Sequence, residues 1–175
     1  IKAIAFSDDD EMFTVGIDDD IAVVSVEEFS VMKKLRGHAN TVVQTSFGPT
    51  SRRLVSLSRD RTVKIWDINS GAVITSTPVH EIKGQVMAMS PDRKTIATGD
   101  ACGNVSFTHL PTGRFLFSIN ILEGVTSLQI TSENCEQQIV GLEFSRDGKQ
   151  LFVGVSNVGV VIVDTTSSID FRSEN

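Results

Sequence analysis

Residues 58–67 read SRDRTVKIWD and contain the single tryptophan of the 175-residue chain, Trp66, followed directly by Asp67. Side chains alternate in character from Thr62 to Trp66, and a period of two over β-branched residues predicts a strand. The polar runs SRDR before it and NSG after it are typical of turns. Two more strands are predicted upstream, RLVSL at 53–57 and TVVQTSF at 41–47. The segment therefore predicts a small antiparallel sheet.

The chain repeats itself with a period of about 42 residues. One landmark is the aromatic or methionine that ends a predicted strand before a turn, at Phe6, Phe47, Met89 and Phe144, with spacings of 41, 42 and 55. The other is the position of Trp66, with equivalents at Val24, Thr108 and Val163 and spacings of 42, 42 and 55. Two independent landmarks give one period. The excess of about thirteen residues in the third interval predicts a loop over about 124–137, where TSENCEQQ is polar and unpatterned.

Each repeat is predicted to hold four short strands joined by turns. The first turn of each unit reads SDDDE, GPTS, SPDR or SRDGK, which is the Asp, Gly and Pro chemistry of tight turns. Four strands in a repeat of about 40–45 residues predict the blade of a β-propeller. The fold class is therefore predicted to be all-β, with four-stranded antiparallel blades at about 1–36, 37–79, 80–122 and 138–172.

Residues 35–71 resemble a complete WD-repeat. The stretch LRGHANTVVQTSFGPTSRRLVSLSRDRTVKIWDINSG shares with that family its Gly37-His38 pair, the apolar strand ending in Phe47, the LVS strand, Asp60 in a turn and Trp66-Asp67. The resemblance implies a structural tetrad inside the blade, in which His38, Ser56, Asp60 and Trp66 form one buried chain of hydrogen bonds. A buried indole N–H needs an acceptor, and a serine hydroxyl can accept from it while donating to histidine.

The other repeats depart from this pattern. The third offers His80 without its glycine, Thr98 in place of the serine, Cys102 where the aspartate would stand and Thr108 in place of the tryptophan. The fourth keeps Asp164 beside Val153, Asn157 and Val163, and the first keeps Thr14 and Asp18 with Val24. Apolar packing is expected to hold these three blades together.

Composition excludes several classes of function. The net charge is −6 and no dense Lys/Arg block occurs, so direct binding to nucleic acid is not expected. No 18-residue apolar span indicates a membrane segment. Cys102 and Cys135 form neither a CxxC pair nor a dense disulfide framework, which favours a reducing, intracellular compartment, cytoplasm or nucleus.

No motif of a catalytic, cofactor or metal site stands out. The acidic triplets at 8–10 and 18–20 lack the alternating ligands, central glycine and bidentate Glu of a Ca²⁺ loop, so solvated turn acids are the favoured interpretation. For the histidines, His38, His80 and His109, a role within blades is favoured over metal binding. Cys102 is expected to be a small residue in a turn rather than a reactive thiol. We therefore predict no enzyme activity, no cofactor and no metal.

The leading functional hypothesis is a protein–protein interaction scaffold within a multiprotein assembly. The alternatives are a propeller module of a ribonucleoprotein or ribosome-assembly factor and, third, an enzyme whose site the fold gathers. Proteins or peptides are the expected partners. The candidate partner-binding face is formed by turns at one end of the blades and comprises Asp18, Asp19, Asp20, Asn40, Arg59, Arg61, Lys83 and Asn104.

Four blades are expected to leave a ring incomplete. The resemblance to WD-repeat propellers implies a seven-bladed ring, which lies within the range of about 4 to 8 blades found in propellers. We therefore expect the ring to be completed by residues outside this sequence or by another chain.

Overall fold

The computed structural model describes residues 1–80, 84–122 and 138–166, and these form strands and turns without a helix. No candidate for a membrane-spanning helix occurs within those three ranges. Four antiparallel sheets follow one another along the chain, and within each sheet the strands pair in sequence order. This confirms the all-β fold built from propeller blades.

Sheets 1 and 2 each contain four strands. Sheet 1 consists of β1 (Ala3–Phe6), β2 (Met12–Ile17), β3 (Asp20–Ser25) and β4 (Val31–Leu35). Sheet 2 consists of β5 (Val42–Phe47), β6 (Arg53–Ser58), β7 (Thr62–Asp67) and β8 (Val73–Pro78).

Sheet 3 has four strands, and three strands of sheet 4 are described. Sheet 3 consists of β9 (Gly84–Met89), β10 (Thr95–Asp100), β11 (Asn104–His109) and β12 (Arg114–Asn120). Sheet 4 consists of β13 (Ile139–Phe144), β14 (Gln150–Val155) and β15 (Gly159–Asp164). The predicted loop at 124–137, the end of the fourth predicted blade and Lys83 lie outside the described residues.

The first strand of each sheet lies on the inside of the arrangement. β1 contacts β5, β5 contacts β9 and β9 contacts β13, whereas the fourth strands contact mainly their own sheets. Successive sheets therefore fan out from a common axis, as blades do. The arc that the described sheets form is not a closed ring.

Apolar clusters fill the spaces between successive sheets. Leu35 of sheet 1 meets Leu54 and Trp66 of sheet 2, and the next two interfaces are packed in the same way. Burial of such side chains contributes roughly 1.5–3 kcal/mol each before the entropy of ordering is counted. The sheets therefore depend on their neighbours for most of their apolar burial.

A serine and an aspartate build the first turn of three sheets. The hydroxyls of Ser7, Ser90 and Ser145 donate to Asp9, Asp92 and Asp147 over 2.6, 2.6 and 2.7 Å. Each hydroxyl also accepts the backbone N–H five residues on, at Met12, Thr95 and Gln150. The Ser-x-Asp spacing in SDDDE, SPDR and SRDGK thus specifies the turn through local bonds.

Candidate functional site

Four side chains of sheet 2 lie in one chain of hydrogen bonds. The indole N–H of Trp66 donates to Ser56 Oγ over 2.8 Å, and Ser56 Oγ lies 2.6 Å from His38 Nε2. His38 Nδ1 lies 2.7 Å from Asp60 Oδ2. Since Ser56 accepts from the indole, it donates to Nε2, and the imidazole then carries its proton on Nδ1, facing the carboxylate. The order Trp66–Ser56–His38–Asp60 therefore satisfies every donor in the chain.

Strand register and two turns place these groups. β6 and β7 pair Leu54 with Trp66, which sets the indole diagonally opposite Ser56. Gly37, with a φ of 150°, brings His38 beneath the sheet, and a Cβ on Gly37 would lie 3.4 Å from Trp66 Cη2. A glycine before the histidine is therefore favoured by its backbone conformation, since a Cβ there would make only an ordinary contact with the indole.

Asp60 anchors two separate segments. Its Oδ2 accepts the backbone N–H of Ala39 at 3.0 Å, and its Oδ1 accepts the N–H and hydroxyl of Thr62 at 3.0 and 2.7 Å. Burial alone would raise the pKa of Asp60, but hydrogen bonds from Thr62, Ala39 and His38 outweigh it and lower that pKa. Burial lowers the pKa of His38 despite the opposing pull of Asp60. In the folded protein His38 is therefore a neutral imidazole and Asp60 is a carboxylate, and both are hydrogen-bonded to neighbouring groups.

The network predicts stability that declines as the pH falls. In the unfolded chain His38 takes up a proton near its ordinary pKa of 6.5, whereas in the folded chain its pKa is lower. The unfolded state then binds more protons, so stability is fully present above about pH 6.5 and is lost as the pH drops towards the folded pKa. The pKa of Asp60 is also lower in the folded chain than its ordinary value of 3.8, so stability is lost in the same way as the pH falls below about 3.8.

The measurement is the melting temperature at about pH 7.5 and pH 5.5, for the protein and for its His38→Gln variant. We expect the melting temperature to fall between these values in the wild type, and to fall by less in the variant. Equal pH dependence in both proteins would show that His38 does not carry the effect.

Sheet 3 holds a shorter version of the network. His80 Nε2 lies 2.9 Å from Thr98 Oγ1, and His80 Nδ1 lies 3.5 Å from Asp100 Oδ2. The expectation that Cys102 leaves this blade without a carboxylate is wrong, because Asp100, two residues earlier, turns its side chain to the histidine. Asp100 ends β10, and it also accepts both the backbone and side-chain N–H groups of Asn104. The motif TGDACGN places this aspartate before the turn, where a fixed-offset alignment misses it.

Sheet 3 carries Thr108 at the position of Trp66 and Cys102 at the aligned position of Asp60. Thr108 occupies the place of Trp66, and among the described residues its Oγ1 is a buried polar atom without a hydrogen-bond partner. Cys102 is disulfide-bonded, so the expectation of a plain small residue there is wrong. Disulfides are rare in reducing compartments. The cysteines therefore carry no argument for an intracellular location.

Sheets 1 and 4 show no chain of this kind within their described residues. Thr14 is buried and lies 3.0 Å from Thr45 of sheet 2, so it links two blades. Asp164 accepts the N–H and hydroxyl of Thr166 in a local turn. Val24, Val153 and Val163 lie in strands and pack as apolar residues.

Most of the candidate partner-binding face is brought to one end of the sheets. The turn at Asp18 and the turn at Arg59 both bond the start of β5, through Val42 N to Asp18 O at 2.7 Å and Arg59 N to Thr41 O at 2.9 Å. Arg61 O accepts the N–H of Val79 at 3.1 Å, which extends the pairing of β7 and β8 at the same end of sheet 2. The β2–β3 and β6–β7 turns thus lie side by side, and the β10–β11 turn holds the equivalent position in sheet 3. These three turns are called the rim.

The members of this face differ in how exposed their side chains are. Asp18, Asp19, Asn40, Arg59 and Arg61 are exposed. Asp20 pairs with Arg36 over 3.3 Å at the surface. Asn104 is half-buried, and its side chain is bonded within the protein, since its Nδ2 donates to Asp100 and its Oδ1 accepts from Asn120. Lys83 lies outside the described residues.

One cross-sheet contact has no signature in the sequence. Arg93, in the first turn of sheet 3, donates to Gly48 O of sheet 2 at 2.7 Å and lies 2.6 Å from a carboxylate oxygen of Asp8 in sheet 1. It ties three blades together at the end opposite the candidate partner-binding face. Across residues 1–80, 84–122 and 138–166, no group of three or more His, Cys, Asp or Glu side chains is arranged to hold a metal ion.

Comparison with known proteins finds a family model that matches one repeat of the chain. The model of the WD domain, G-beta repeat, matches residues 29–67, the stretch that carries the four-residue network. U3 small nucleolar RNA-associated protein 21 of Saccharomyces cerevisiae is 30% identical over 105 residues, and periodic tryptophan protein 2 of the same yeast is 26% identical over 159 residues. Residues 29–67 thus carry a WD repeat.

The relatives of this WD-repeat chain are much longer proteins. The match covers 59% of the chain and 11% of U3 small nucleolar RNA-associated protein 21, and 86% of the chain and 17% of periodic tryptophan protein 2. The pre-rRNA-processing protein crb3/ipi3 of Schizosaccharomyces pombe is 26% identical over 158 residues, which are 75% of the chain and 35% of that protein. The chain thus spans from about a tenth to about a third of the length of these relatives.

Proposed function

We propose that this WD-repeat chain is part of a non-catalytic scaffold that binds proteins or peptides within a multiprotein assembly. The observation that supports this most strongly is the rim of exposed turns at one end of the sheets. The backbone hydrogen bond from Val42 N–H to Asp18 O ties the turn of sheet 1 to sheet 2, and the turn at Arg59 and Arg61 is bonded to the ends of the first and fourth strands of its own sheet, so a rigid frame holds the backbone of these two turns. Loops held by a rigid scaffold are where interaction proteins commonly bind.

The charges of the rim suit a polar partner. Asp18 and Asp19 are exposed on sheet 1, and Arg59 and Arg61 are exposed on sheet 2. Acidic and basic groups on adjacent blades favour a partner whose charges alternate in the opposite sense. The net charge of −6 disfavours a surface that tracks phosphates, so the proposed partner is a protein rather than nucleic acid itself.

The polar groups inside the blades support a structural role. His38, Ser56 and Asp60 each bond to other members of the network or to the backbone. A catalytic base or nucleophile needs to reach a substrate atom in a cleft, whereas the His38 side chain is fully buried. We therefore assign the network to blade stability and the rim to binding.

Charge reversal of the rim tests the binding proposal. In the full-length protein, Arg59→Glu combined with Arg61→Glu is expected to reduce partner capture about tenfold, equivalent to roughly 1.4 kcal/mol. Both side chains lie at the surface, so the melting temperature is expected to change little compared with the loss of capture. Capture is measured by quantitative pull-down from a cell extract.

The matched control reverses two exposed arginines in turns of the other end, Arg52→Glu with Arg146→Glu. It changes the net charge by the same amount and is expected to leave capture intact. If the rim variant captures partners as well as the wild type, or the control loses them equally, this rim is not the binding face.

A second candidate function places the scaffold in ribosome assembly. The names of two relatives, U3 small nucleolar RNA-associated protein 21 and the pre-rRNA-processing protein crb3/ipi3, favour this setting. Contacts would then be made with proteins around the RNA. Co-purification that disappears after nuclease treatment would favour this setting over a scaffold that acts without RNA. An intracellular location is proposed on the same ground.

A further inference from the structure

A cavity of about 540 Å³ opens between sheets 2 and 3, near their outer edge. The side chains of His80 and Asp100, each 1% exposed, form part of its wall. Phe115 is 40% exposed. Asn104, Ser106 and Ser118 also line the cavity. The cavity therefore has a buried polar wall and exposed residues at its margin.

Comparison with sheet 2 shows why the space is empty. The strand registers are identical, since Lys64 pairs with Ser56 and Ser76 just as Ser106 pairs with Thr98 and Ser118. In sheet 2 the Lys64 ammonium donates to Ser76 Oγ over 2.6 Å. Its charge is close enough to the imidazole to lower the pKa of His38. Ser106 at the equivalent position is fully buried and its hydroxyl donates to Val79 O over 2.7 Å, so its short side chain does not reach the place that the Lys64 side chain takes in sheet 2.

The groups around the open position suit an ammonium better than an apolar or anionic group. Asp100 is a carboxylate whose pKa is lowered, because hydrogen bonds from His80, Asn104 and Cys102 outweigh the effect of burial. The Ser118 hydroxyl stands where Ser76 accepts from Lys64 in sheet 2. Phe115 replaces Val73 at the same register position and offers an aromatic face. Carboxylate, hydroxyl and ring faces all attract a primary ammonium.

We propose that this cavity binds the side chain of a lysine supplied by a partner peptide. The aliphatic stem lies along Phe115, and the ammonium takes the position that Lys64 holds in sheet 2, with Ser118 as acceptor and Asp100 behind it. Long lysine stems cover apolar surface while the head group stays with polar partners. The inference deepens the proposed function, on which it rests for the source of the lysine, and it adds a site apart from the exposed arginines of the rim.

Saturation-transfer difference NMR on the full-length protein tests the site. The probes are the N-methylamides of Nα-acetyl-lysine, Nα-acetyl-norleucine and Nα-acetyl-arginine. We expect transfer to the lysine probe, with a dissociation constant on the order of millimolar, and at least about tenfold weaker binding of norleucine, which keeps the stem and lacks the charge. Equal transfer to norleucine, or stronger transfer to arginine, would overturn the assignment.

Two variants of cavity residues and one control variant connect the transfer signal to the cavity. Ser106→Lys rebuilds the arrangement of sheet 2 and is expected to weaken lysine binding more than tenfold by filling the site. Gln150→Lys adds the same charge on an exposed position of sheet 4 and is expected to leave binding unchanged. Phe115→Val, which copies sheet 2, is expected to weaken binding about threefold. If neither Ser106→Lys nor Phe115→Val alters the transfer, the cavity does not bind the probe.

These probes report on the cavity without any natural partner. Loss of pull-down in the rim variant with intact lysine binding would separate the two sites. Conversely, a rim variant that captures partners normally would contradict the proposed face while the NMR result still decided the lysine site.

Discussion

Replacing Trp66 by Phe is expected to lower the free energy of unfolding by about 1–3 kcal/mol. The indole is fully buried and donates to Ser56 over 2.8 Å. Phe keeps most of the apolar contact with sheet 1 but removes the donor, which leaves the Ser56 oxygen without one of its partners. Equilibrium denaturation of the wild type and the variant gives the difference.

A double-mutant cycle shows whether the four residues act as one unit. Ser56→Ala is expected to have a similar effect, because it strands both the indole N–H and His38 Nε2. Since the two substitutions break the same bond, the double variant should lose less than the sum, by about 1 kcal/mol. Trp66→Phe with Thr98→Ala is the matched control, as Thr98 bonds His80 in sheet 3. Additivity in the first pair would contradict the network, and the control pair is expected to be additive.

The isolated 175-residue chain is expected to self-associate through the outward faces of sheets 1 and 4. On sheet 1 Ile4 and Phe6 are 61% and 60% exposed, and on sheet 4 Val160 and Ile162 are 68% and 57% exposed. Their strand neighbours point inward and pack against the next sheet. Monomers rarely expose contiguous apolar patches larger than a few hundred Å². We expect dimers or larger species in light scattering, with binding of an apolar dye.

Threonine substitutions separate this effect from misfolding. Ile4→Thr, Phe6→Thr, Val160→Thr and Ile162→Thr keep strand propensity while reducing apolar surface. The combined variant is expected to bind less dye and to be smaller in light scattering. A monodisperse 19 kDa wild-type chain that binds no dye would refute the expectation.

Local chemistry explains why so much of the fold can be predicted from the sequence. Alternation within strands, Ser-x-Asp turns and a 42-residue period are all set by residues near one another in the chain. The donors and acceptors of sheet 2 belong to this class too. Trp66 and Ser56 lie on adjacent strands of one hairpin, and the turn of that hairpin carries Asp60, so strand register nearly determines their contact.

Contacts that depend on how blades face one another could not be predicted in this way. The ion pair between Arg93 and Asp8 joins residues 85 positions apart, and each alone is an ordinary turn residue. The fixed-offset alignment of repeats missed Asp100, because a carboxylate can reach the histidine either from the turn or from the end of the strand. The cavity exists because position 106 carries a short serine where sheet 2 carries Lys64. This difference can be recognised only when the two sheets are compared in the same register.

Hydrogen exchange of the full-length protein, alone and within its purified assembly, tests the central proposal most directly. If partners bind the rim, amides in the turns at 18–20 and 59–61 should exchange more slowly in the assembly. Amides in the opposite turns at 8–10, 50–52 and 146–148 should exchange as before. Slower exchange confined to those opposite turns, or no change at either end, would contradict the proposal that the rim of this WD-repeat chain is its binding surface.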